Sequence, residues 1–331
     1  MLVSGQLWQI RKAVRPWLIE SNQTYLFGCS GGADSLALAV ALFAEGKNSK
    51  VIPVVIDHGL QINSAEVTEQ TLQTLKKIGY QKCENAKANI EITDGLEASA
   101  RRARYQIFNE FIDSYNAKYL FLAHTKNDQA ENVILGLLRG SGTRSLSGMP
   151  EQNGKFIRPL LNLSRADTEA ACVEAGVTPW QDPHNSDERF ARVKIRKRVI
   201  PNLIENVGER VVDSLARSAA LMRLDADALD EQANQFWNEN LKDFHKVDKS
   251  GKLESIELNV DLLLKLHRAV RARVLRLAIY KMGAPSGSLT ADMIFAVEAF
   301  FTDWHGQGVT SLPGNVKVLR NSGTIVLSKS D

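Results

Sequence analysis

The stretch Ser30-Gly31-Gly32-Ala33-Asp34-Ser35 (SGGADS) decides how the first part of this chain folds and what it binds. It follows a short β-prone run, Tyr25-Leu26-Phe27, and precedes a run of helix formers from Leu36 to Leu42. Two glycines let the backbone turn its amides toward one point, and the new helix adds roughly half a positive charge at its first turn. The junction therefore predicts a phosphate-binding loop.

The side chains of this loop exclude two common nucleotide loops. It has no lysine, so it is not the GxxxxGK[ST] loop, and no GxGxxG occurs at this junction. Asp34 places a carboxylate beside the phosphates, and such a carboxylate needs Mg²⁺ to screen it. We predict that Asp34 is a metal ligand and that the nucleotide is bound by Ser30, Gly31, Gly32, Ala33, Asp34 and Ser35. A glycine-rich connection followed by a helix cap is the alternative.

Composition sets the class of protein. A length of 331 residues favours two domains, and 44% hydrophobic with 24% charged residues is typical of a globular protein. The three cysteines, Cys29, Cys83 and Cys172, are far apart, which argues against disulfides, a zinc site or an iron–sulfur centre and indicates a reduced, cytoplasmic setting. No apolar run reaches the roughly 18 residues of a membrane span, so we expect no membrane partner.

Strands and helices alternate in the first 125 residues. The apolar patterns predict strands at 50–57 and 118–123 and helices at 64–78 and 95–114. Near-continuous apolar strands between helices indicate an α/β fold with a parallel sheet covered by helices on both faces. Ligands of such sheets bind beyond the carboxyl ends of the strands. We therefore expect the phosphate loop and the segments that follow these two strands to surround one crevice.

Each of those segments carries polar side chains. Asp57 and His58 end the second strand where the ribose and base of a nucleotide could reach, although a plain turn explains such a pair equally well. The segment from His124 to Asn132 opens a helix that runs to Leu138, with Asp128 and Glu131 in its first turn. Acidic residues there also satisfy the helix dipole, so a capping role is the alternative.

An upstream helix carries a basic face. Arg101, Arg104 and Tyr105 share one side of the helix at 95–114 by their i, i+3 and i+4 spacing. A solvated surface is the usual explanation of such a run.

The order of the motifs resembles one family. SGGADS is similar to the pyrophosphate (PP) loop of the N-type ATP pyrophosphatases, which adenylate an oxygen of their substrate. The later motifs DHGL, ARRARY, AHTKNDQAEN, RGSG, RPLL and WQDPHNSDERFARVKIRKRVIP follow in the order seen in the tRNA(Ile)-lysidine synthetases, over roughly residues 20–205. The HxxxDxxE segment with RGxG, and WxxDPxN with the basic run after it, are much more specific than the loop.

The resemblance implies a reaction. Such enzymes use ATP and Mg²⁺ to join free L-lysine to carbon 2 of the first anticodon cytidine of tRNA(Ile) with a CAU anticodon, through an adenylated intermediate that releases pyrophosphate and then AMP. It implies substrate binding by His124, Asp128 and Glu131, and catalysis by Asp34, Arg104, Asp128, Arg192 and Arg196. For the oligomeric state, the expectation includes a homodimer.

Three residues depart from the family pattern. Asn127 and Asn132 stand where the family usually has HxxDDxxET, and Val193 stands where it usually has RNxIR. The two asparagines leave His124 and the two acidic positions intact, so we expect a local change of hydrogen bonding. Val193 removes a polar group from the basic run.

The chain changes character beyond about residue 210. The patterns predict one long helix or two joined helices at 209–240, further helices at 262–281 and 290–301, and a β-hairpin within 306–330. We therefore divide the chain into a PP-loop catalytic domain at 1–209 and a smaller, mainly helical domain at 210–331 that positions the tRNA. Its arginines could contact RNA phosphates, or they could form a solvated helix face; these are Arg268, Arg271, Arg273 and Arg276.

Two other functions stay open from the sequence. A related tRNA thiolase would use the same adenylation chemistry with sulfur, but this chain lacks a cysteine pair. A non-catalytic ATP- or RNA-binding relative would have lost site residues, whereas Ser30, Asp34 and Asp128 are present.

Overall fold

A computed structural model describes residues 4–57, 59, 64–91, 95–180, 188–240, 245–247, 253–285 and 287–329. The chain divides into two compact units, one of residues 1–138 with 148–219 and one of residues 139–147 with 220–331. This division falls inside the helix Val211–Asn240. The functional domains predicted at 1–209 and 210–331 therefore stay a prediction. No helix within the described ranges has the length and apolar content to cross a membrane.

The helices include those predicted from the sequence and four, α6 to α9, that were not predicted. In chain order they are α1 (Gln6–Val14), α2 (Ala33–Glu45), α3 (Ser64–Ile78), α4 (Leu96–Ser114), α5 (Lys126–Leu138), α6 (Thr143–Leu146), α7 (Arg165–Glu174), α8 (Ala191–Lys194), α9 (Ile200–Val207), α10 (Val211–Asn240), α11 (Val260–Leu264), α12 (Arg268–Lys281) and α13 (Ala291–Thr302). A π-helical turn, Ile195–Val199, joins α8 to α9.

A six-stranded sheet forms the centre of the first unit. Its strands are β1 (Thr24–Gly28), β2 (Lys50–Asp57), β3 (Glu84–Lys87), β4 (Tyr119–Phe121), β5 (Gln152–Asn153) and β6 (Phe156–Ile157), in the order β3-β2-β1-β4-β6-β5. All neighbours are parallel except the β5–β6 pair. The phosphate loop leaves β1 at the middle of this sheet, between two parallel neighbours.

Alternation along β1 places a different core on each face of the sheet. Tyr25 and Phe27 pack into the apolar cluster that contains Leu38 of α2, whereas Leu26 packs with Phe108 of α4. Successive strand side chains point to opposite faces, so both faces are covered. This confirms the predicted parallel sheet with helices on both sides.

The second unit contains a five-stranded antiparallel sheet. Its strands are β7 (His245–Val247), β8 (Leu253–Asn259), β9 (Thr310–Leu312), β10 (Val316–Asn321) and β11 (Thr324–Lys329), in the order β7-β8-β11-β10-β9. The predicted hairpin is confirmed, with Val318 opposite Leu327. We did not predict β7 and β8. Ile256 and Leu258 of β8 alternate inward and complete the buried face.

The prediction of one continuous helix at 262–281 is wrong. The segment 262–281 is interrupted after α11, and α12 begins anew at Arg268. His267 adopts an extended conformation, and its Nδ1 accepts a hydrogen bond from the backbone N–H of Ala269. A side-chain cap of this kind starts a new helix, which the apolar stripe alone did not show.

Candidate active site

The phosphate loop is braced by its own hydroxyl group. Ser35 Oγ accepts a hydrogen bond from the backbone N–H of Ser30 (3.2 Å) and donates to the carbonyl of Gly32 (2.9 Å). Gly32 is extended and α2 begins at the next residue, so the first-turn amides of α2 have no partner within the helix. Ser35 therefore shapes the loop from inside, while a direct bond from its hydroxyl to phosphate stays a prediction.

Two features of this loop require glycine at position 31. Its φ is +80°, in the left-handed region that favours glycine. A Cβ atom there would also lie 2.4 Å from Oγ1 of Thr71 on α3. The backbone N–H of Trp180 donates to the Gly31 carbonyl at 3.0 Å. The loop is held from two sides, which preorganises it for an anion.

Asp34 lies between the N-termini of two helices. It is in the first turn of α2, and its Oδ1 accepts a hydrogen bond from the hydroxyl of Thr168, in the first turn of α7. Arg165 Nε lies 3.6 Å from the other oxygen, Oδ2. Burial raises the pKa of Asp34, and Asp128 adds to this, whereas Arg165 and Thr168 oppose it. A carboxylate so surrounded gains from any additional cation.

Asp128 is ionised more readily than an ordinary aspartate. Its Oδ2 accepts hydrogen bonds from the backbone N–H (2.8 Å) and hydroxyl (3.1 Å) of Thr125. Burial opposes ionisation, but the hydrogen bond from the Thr125 amide and the positive charges of Arg165 and Arg192 favour the carboxylate, and the pKa of Asp128 is lowered. Its other oxygen, Oδ1, lies 3.6 Å from Arg196 Nη2. Asp128 is therefore a stable negative charge at neutral pH.

Glu131 is fully buried and holds two arginines. Arg196 donates to both of its oxygens, from Nε at 2.6 Å and from Nη2 at 2.9 Å, and Arg192 Nε lies 3.1 Å from Oε2. The bidentate pair fixes the Arg196 guanidinium in orientation as well as position, whereas the Arg192 contact is an ion pair. In the structure Glu131 positions these two predicted catalytic arginines, and its contact with lysine stays a prediction.

The departures from the family pattern each have a partner. The side-chain oxygen of Asn127 accepts a hydrogen bond from the backbone N–H of Arg165 at 2.9 Å, and that of Asn132 accepts from Arg192. Val193 is buried, so its apolar side chain fits its surroundings. The expected change of hydrogen bonding relative to the family stays a prediction.

His124 lies beyond the end of β4, among cations. Its Nδ1 is buried and has no hydrogen-bond partner among the described residues. Burial lowers the pKa of His124 to about 3; Arg158 and Arg104 add to this and Asp128 opposes it. The ring is therefore neutral at neutral pH. Tyr105 belongs to the same group, because its hydroxyl accepts hydrogen bonds from Arg158 and Arg101, each at 3.3 Å.

The predicted nucleotide-base segment is only partly described. The carboxylate of Asp57 accepts a hydrogen bond from the backbone N–H of Gly59 at 2.8 Å, which is the turn that the sequence left as the alternative. His58 and residues 181–187 lie outside the described residues. The nucleotide role of Asp57 and His58 stays a prediction.

The structure therefore joins four of the five predicted catalytic residues, together with Glu131, in one chain of contacts. It runs from Asp34 through Arg165 to Asp128, then through Arg196 to Glu131 and Arg192. Sequence reasoning did not select Arg165 and Thr168. Their only local signal is the helix start at Ser164-Arg165-Ala166-Asp167, which forms a capping box.

This arrangement suits nucleotide chemistry. Carboxylates and guanidinium groups alternate beside a loop that presents backbone amides to an anion. No group of three or more His, Cys, Asp or Glu side chains in the described part of the chain could hold a metal ion by itself. A Mg²⁺ ion that binds through one or two carboxylates and the phosphates of its substrate needs no such group, so Asp34 fits it.

Comparison with known proteins gives two family matches. A PP-loop domain matches residues 6–203, and a TilS substrate binding domain matches residues 258–326. Among solved structures, the U34-tRNA thiolase NcsA from Methanococcus maripaludis covers 66% of this chain and 80% of its own, with a TM-score of 0.55 at 17% sequence identity. That likeness shows the fold.

Curated relatives match over nearly the whole chain. The tRNA(Ile)-lysidine synthase of Thermobifida fusca is 37% identical, covering 96% of this chain and 95% of its own. That of Salinispora tropica is 40% identical, covering 96% and 94%. That of Streptomyces coelicolor is 40% identical, covering 91% and 84%.

Proposed function

The chain belongs to the tRNA(Ile)-lysidine synthase family, a family of ligases that form a carbon–nitrogen bond, and from this premise we propose its substrates and the roles of its residues. ATP and a tRNA are its partners as a PP-loop enzyme with a substrate-binding domain. We propose that it joins free L-lysine to carbon 2 of the first anticodon cytidine of tRNA(Ile) with a CAU anticodon. The observation that carries this proposal is the chain of carboxylates and guanidinium groups that starts at Asp34, beside the phosphate loop.

The first step activates the cytidine. Its carbonyl oxygen attacks the α-phosphorus of ATP, and pyrophosphate leaves. The amides of the loop and the N-terminus of α2 support the phosphates. Mg²⁺, held by Asp34, would screen the phosphate charge there. We assign stabilisation of the remaining charge to Arg196 and Arg192, which pair with Glu131, and to Arg104 on α4.

The second step replaces AMP by lysine. The amine attacks carbon 2, the bond to the adenylate oxygen breaks, and AMP leaves. A lysine ammonium has an ordinary pKa near 10.4, so some group must hold it and receive its proton. We assign the holding role to Asp128, because its lowered pKa keeps it charged. A carboxylate of lowered pKa orients an ammonium better than it accepts a proton.

We propose that the enzyme selects its substrate through the first anticodon base. This base must leave its stack. An anticodon base is single-stranded and can be splayed into a pocket, as in other recognition of unpaired RNA. His124 stays neutral in the crevice and can accept or donate a hydrogen bond there without adding charge. The tRNA-positioning role of the second unit, a cytoplasmic location and a homodimer remain predictions.

Sulfur transfer is the second candidate function, and the relatives do not support it. Cys29 and Cys172 are buried, and burial raises the pKa of each thiol to about 11, which disfavours the thiolate. A non-catalytic relative would not need the series of contacts that connects Asp34 to Glu131 through Arg165, Asp128 and Arg196.

One assay tests the proposed reaction. Purified protein, ATP, Mg²⁺ and labelled L-lysine are incubated with a tRNA(Ile) transcript that carries a CAU anticodon. We expect label in the tRNA and release of AMP in a stoichiometric amount relative to the incorporated lysine. A transcript whose first anticodon base is uridine should acquire no label. Absence of label with the correct transcript, while adenylation still proceeds, would refute lysine as the nucleophile.

A further inference from the structure

Arg165 is a cation held between two carboxylates of the site. Its Nε lies 3.6 Å from Oδ2 of Asp34, and its Nη2 lies 3.9 Å from Oδ1 of Asp128. Both distances exceed those of ordinary N–H···O hydrogen bonds, so these contacts are electrostatic. The Arg165 side chain is 26% exposed. It is therefore attracted to Asp34 without being locked to it.

The backbone of Arg165, in contrast, is fixed. The backbone N–H of Arg165 donates a hydrogen bond to the side chain of Asn127. Arg165 is also the first residue of α7, and Ser164 and Asp167 form a capping box at this end of the helix. The Arg165 side chain is thus fixed at its backbone end, whereas its guanidinium group is only loosely paired. Arg196 differs, because its bidentate bonds to Glu131 are 2.6 and 2.9 Å long.

The cation that best neutralises the Asp34 carboxylate differs between the free protein and the nucleotide-bound protein. In the free protein the Asp34 side chain is mostly buried and Asp128 adds a second negative charge nearby. Two carboxylates that share a region need a cation between them. When a nucleotide arrives, Asp34 faces phosphates as well, and a divalent ion suits that place better than a guanidinium, because it binds carboxylate and phosphate oxygens together.

We propose that Arg165 is the displaceable counter-ion of Asp34: it neutralises this carboxylate in the free protein, and a divalent cation takes its place when nucleotide binds. The proposal rests on the proposed function, since it assumes the metal role of Asp34. Asp128 gives the released guanidinium a second partner, so Arg165 leaves Asp34 without becoming an unpaired charge. Its tether at the start of α7 keeps it beside the phosphate loop, where it meets the triphosphate.

Metal binding without nucleotide tests this exchange directly. Mn²⁺ is titrated into the nucleotide-free protein, and free Mn²⁺ is counted by electron paramagnetic resonance. Because a positive charge that competes for Asp34 is removed, Arg165→Met should bind Mn²⁺ at least about tenfold more tightly than the wild type. Arg165→Lys keeps the charge and should remain close to the wild type. Should the methionine variant fail to fold, Arg165→Gln provides the same comparison.

A matched control separates this effect from net charge. Lys126→Met removes one positive charge from the same unit, but Lys126 pairs with Asp213 at 2.7 Å. It should leave Mn²⁺ affinity unchanged. Adding Asp34→Asn to Arg165→Met should abolish the gain. The counter-ion proposal is overturned if folded Arg165→Met binds Mn²⁺ no more tightly than the wild type, or if Lys126→Met gains equally.

Failure of this proposal is distinguishable from failure of the proposed function. Lysine incorporation by the wild type tests the reaction and does not depend on Arg165. A wild type that incorporates lysine, together with an unchanged Mn²⁺ affinity in Arg165→Met, removes only the counter-ion role. Wild-type Mn²⁺–ATP binding that is unaffected by Asp34→Asn removes the metal role of Asp34 and with it this inference.

Discussion

Asp128 illustrates how neighbours give a residue its chemical role. Nothing in its own identity separates it from an acidic residue that caps a helix, and it does lie in the first turn of α5. Its charge is set by the Thr125 amide and by cations that come from α7 and from the turn after α8. The same carboxylate in a solvated helix start would only complement the dipole.

Asp128→Asn should impair lysine transfer more than adenylation. The amide keeps an oxygen for the Thr125 donors but loses the charge that would hold an ammonium, so we expect about a 100-fold slower second step. Adenylated tRNA is trapped without lysine, lysine is added, and the single-turnover rate is measured. Equal losses in both half-reactions would assign Asp128 to ATP or the metal instead.

Asp34→Asn should abolish the first step while leaving the fold intact. Loss of the carboxylate removes the predicted metal ligand beside the loop, and we expect pyrophosphate release in the presence of tRNA to fall by about 100-fold or more. Asp213→Asn is a matched control, because Asp213 is also a first-turn acid, on α10, with Lys126 as its partner. Near wild-type adenylation in Asp34→Asn would disprove the metal role.

At the scale of elements, helix packing supports the site from behind. α7 supplies Thr168 and Arg165, and it packs against both α1 and α2. The carboxylate of Glu174, at the end of α7, accepts hydrogen bonds from the backbone N–H groups of Gln6 and Leu7 at the start of α1. The three helices therefore keep the two residues of α7 in register with Asp34.

An ion-pair clamp between α1 and α2 should make stability depend on pH. Arg15 and Arg11 bond to Glu45, and their hydrogen bonds lower the pKa of Glu45 although partial burial opposes this. A lowered folded-state pKa gives stability that is present above the ordinary value of 4.5 and is lost as pH falls through the lowered value. Solvent screening keeps the contribution to roughly 1 kcal/mol.

Glu45→Gln tests this clamp. We expect it to lower the free energy of unfolding by roughly 1 kcal/mol at pH 7 and by nearly nothing below the lowered pKa, where the wild-type carboxylate is protonated. Urea unfolding of both proteins at the two pH values gives the comparison. A deficit that persists undiminished in acid would mean that packing, and not charge, accounts for the loss.

At the scale of the whole molecule, three of the four arginines of α12 pair with carboxylates of the second unit. Arg268 and Arg271 both bond to the buried Glu298, and Arg273 bonds to Asp230. Arg271 is itself buried. These arginines stabilise the unit, so an RNA-binding role for this unit must depend more on other cations, such as the exposed Lys265 and Lys317.

The salt dependence of tRNA binding should report that role. Lys265→Gln with Lys317→Gln should weaken tRNA affinity and reduce the slope of log affinity against log salt by about 0.9 for each phosphate that the protein no longer neutralises. Gel-shift affinities at several salt concentrations measure it. Lys246→Gln, which breaks an exposed pair with Glu257, is the control. An unchanged slope in the double variant would show that these lysines do not face the RNA.

The sequence by itself determined the features that short-range physics controls. The glycine pair between a strand and a helix predicted the phosphate loop, and apolar patterns predicted β1, β2 and helices such as α3, α4 and α13 with nearly correct bounds, because backbone conformation and face are set by neighbours along the chain. The ordered motifs also placed the chain in its family. The break before α12 was missed, since a stripe of apolar residues continues through it.

The tertiary structure decided which of these residues act together. Thr168 bonds to Asp34 across 134 positions, and Arg196 bonds to Glu131 across 65, so no spacing along the chain could show either contact. Only packing of α7 beside α2 places Arg165 near Asp34, and only α8 and the turn after it bring Arg192 and Arg196 to Glu131, whose contact with lysine stays a prediction. Side-chain charges acquire partners through space, and the fold, rather than the order of residues, determines which partners those are.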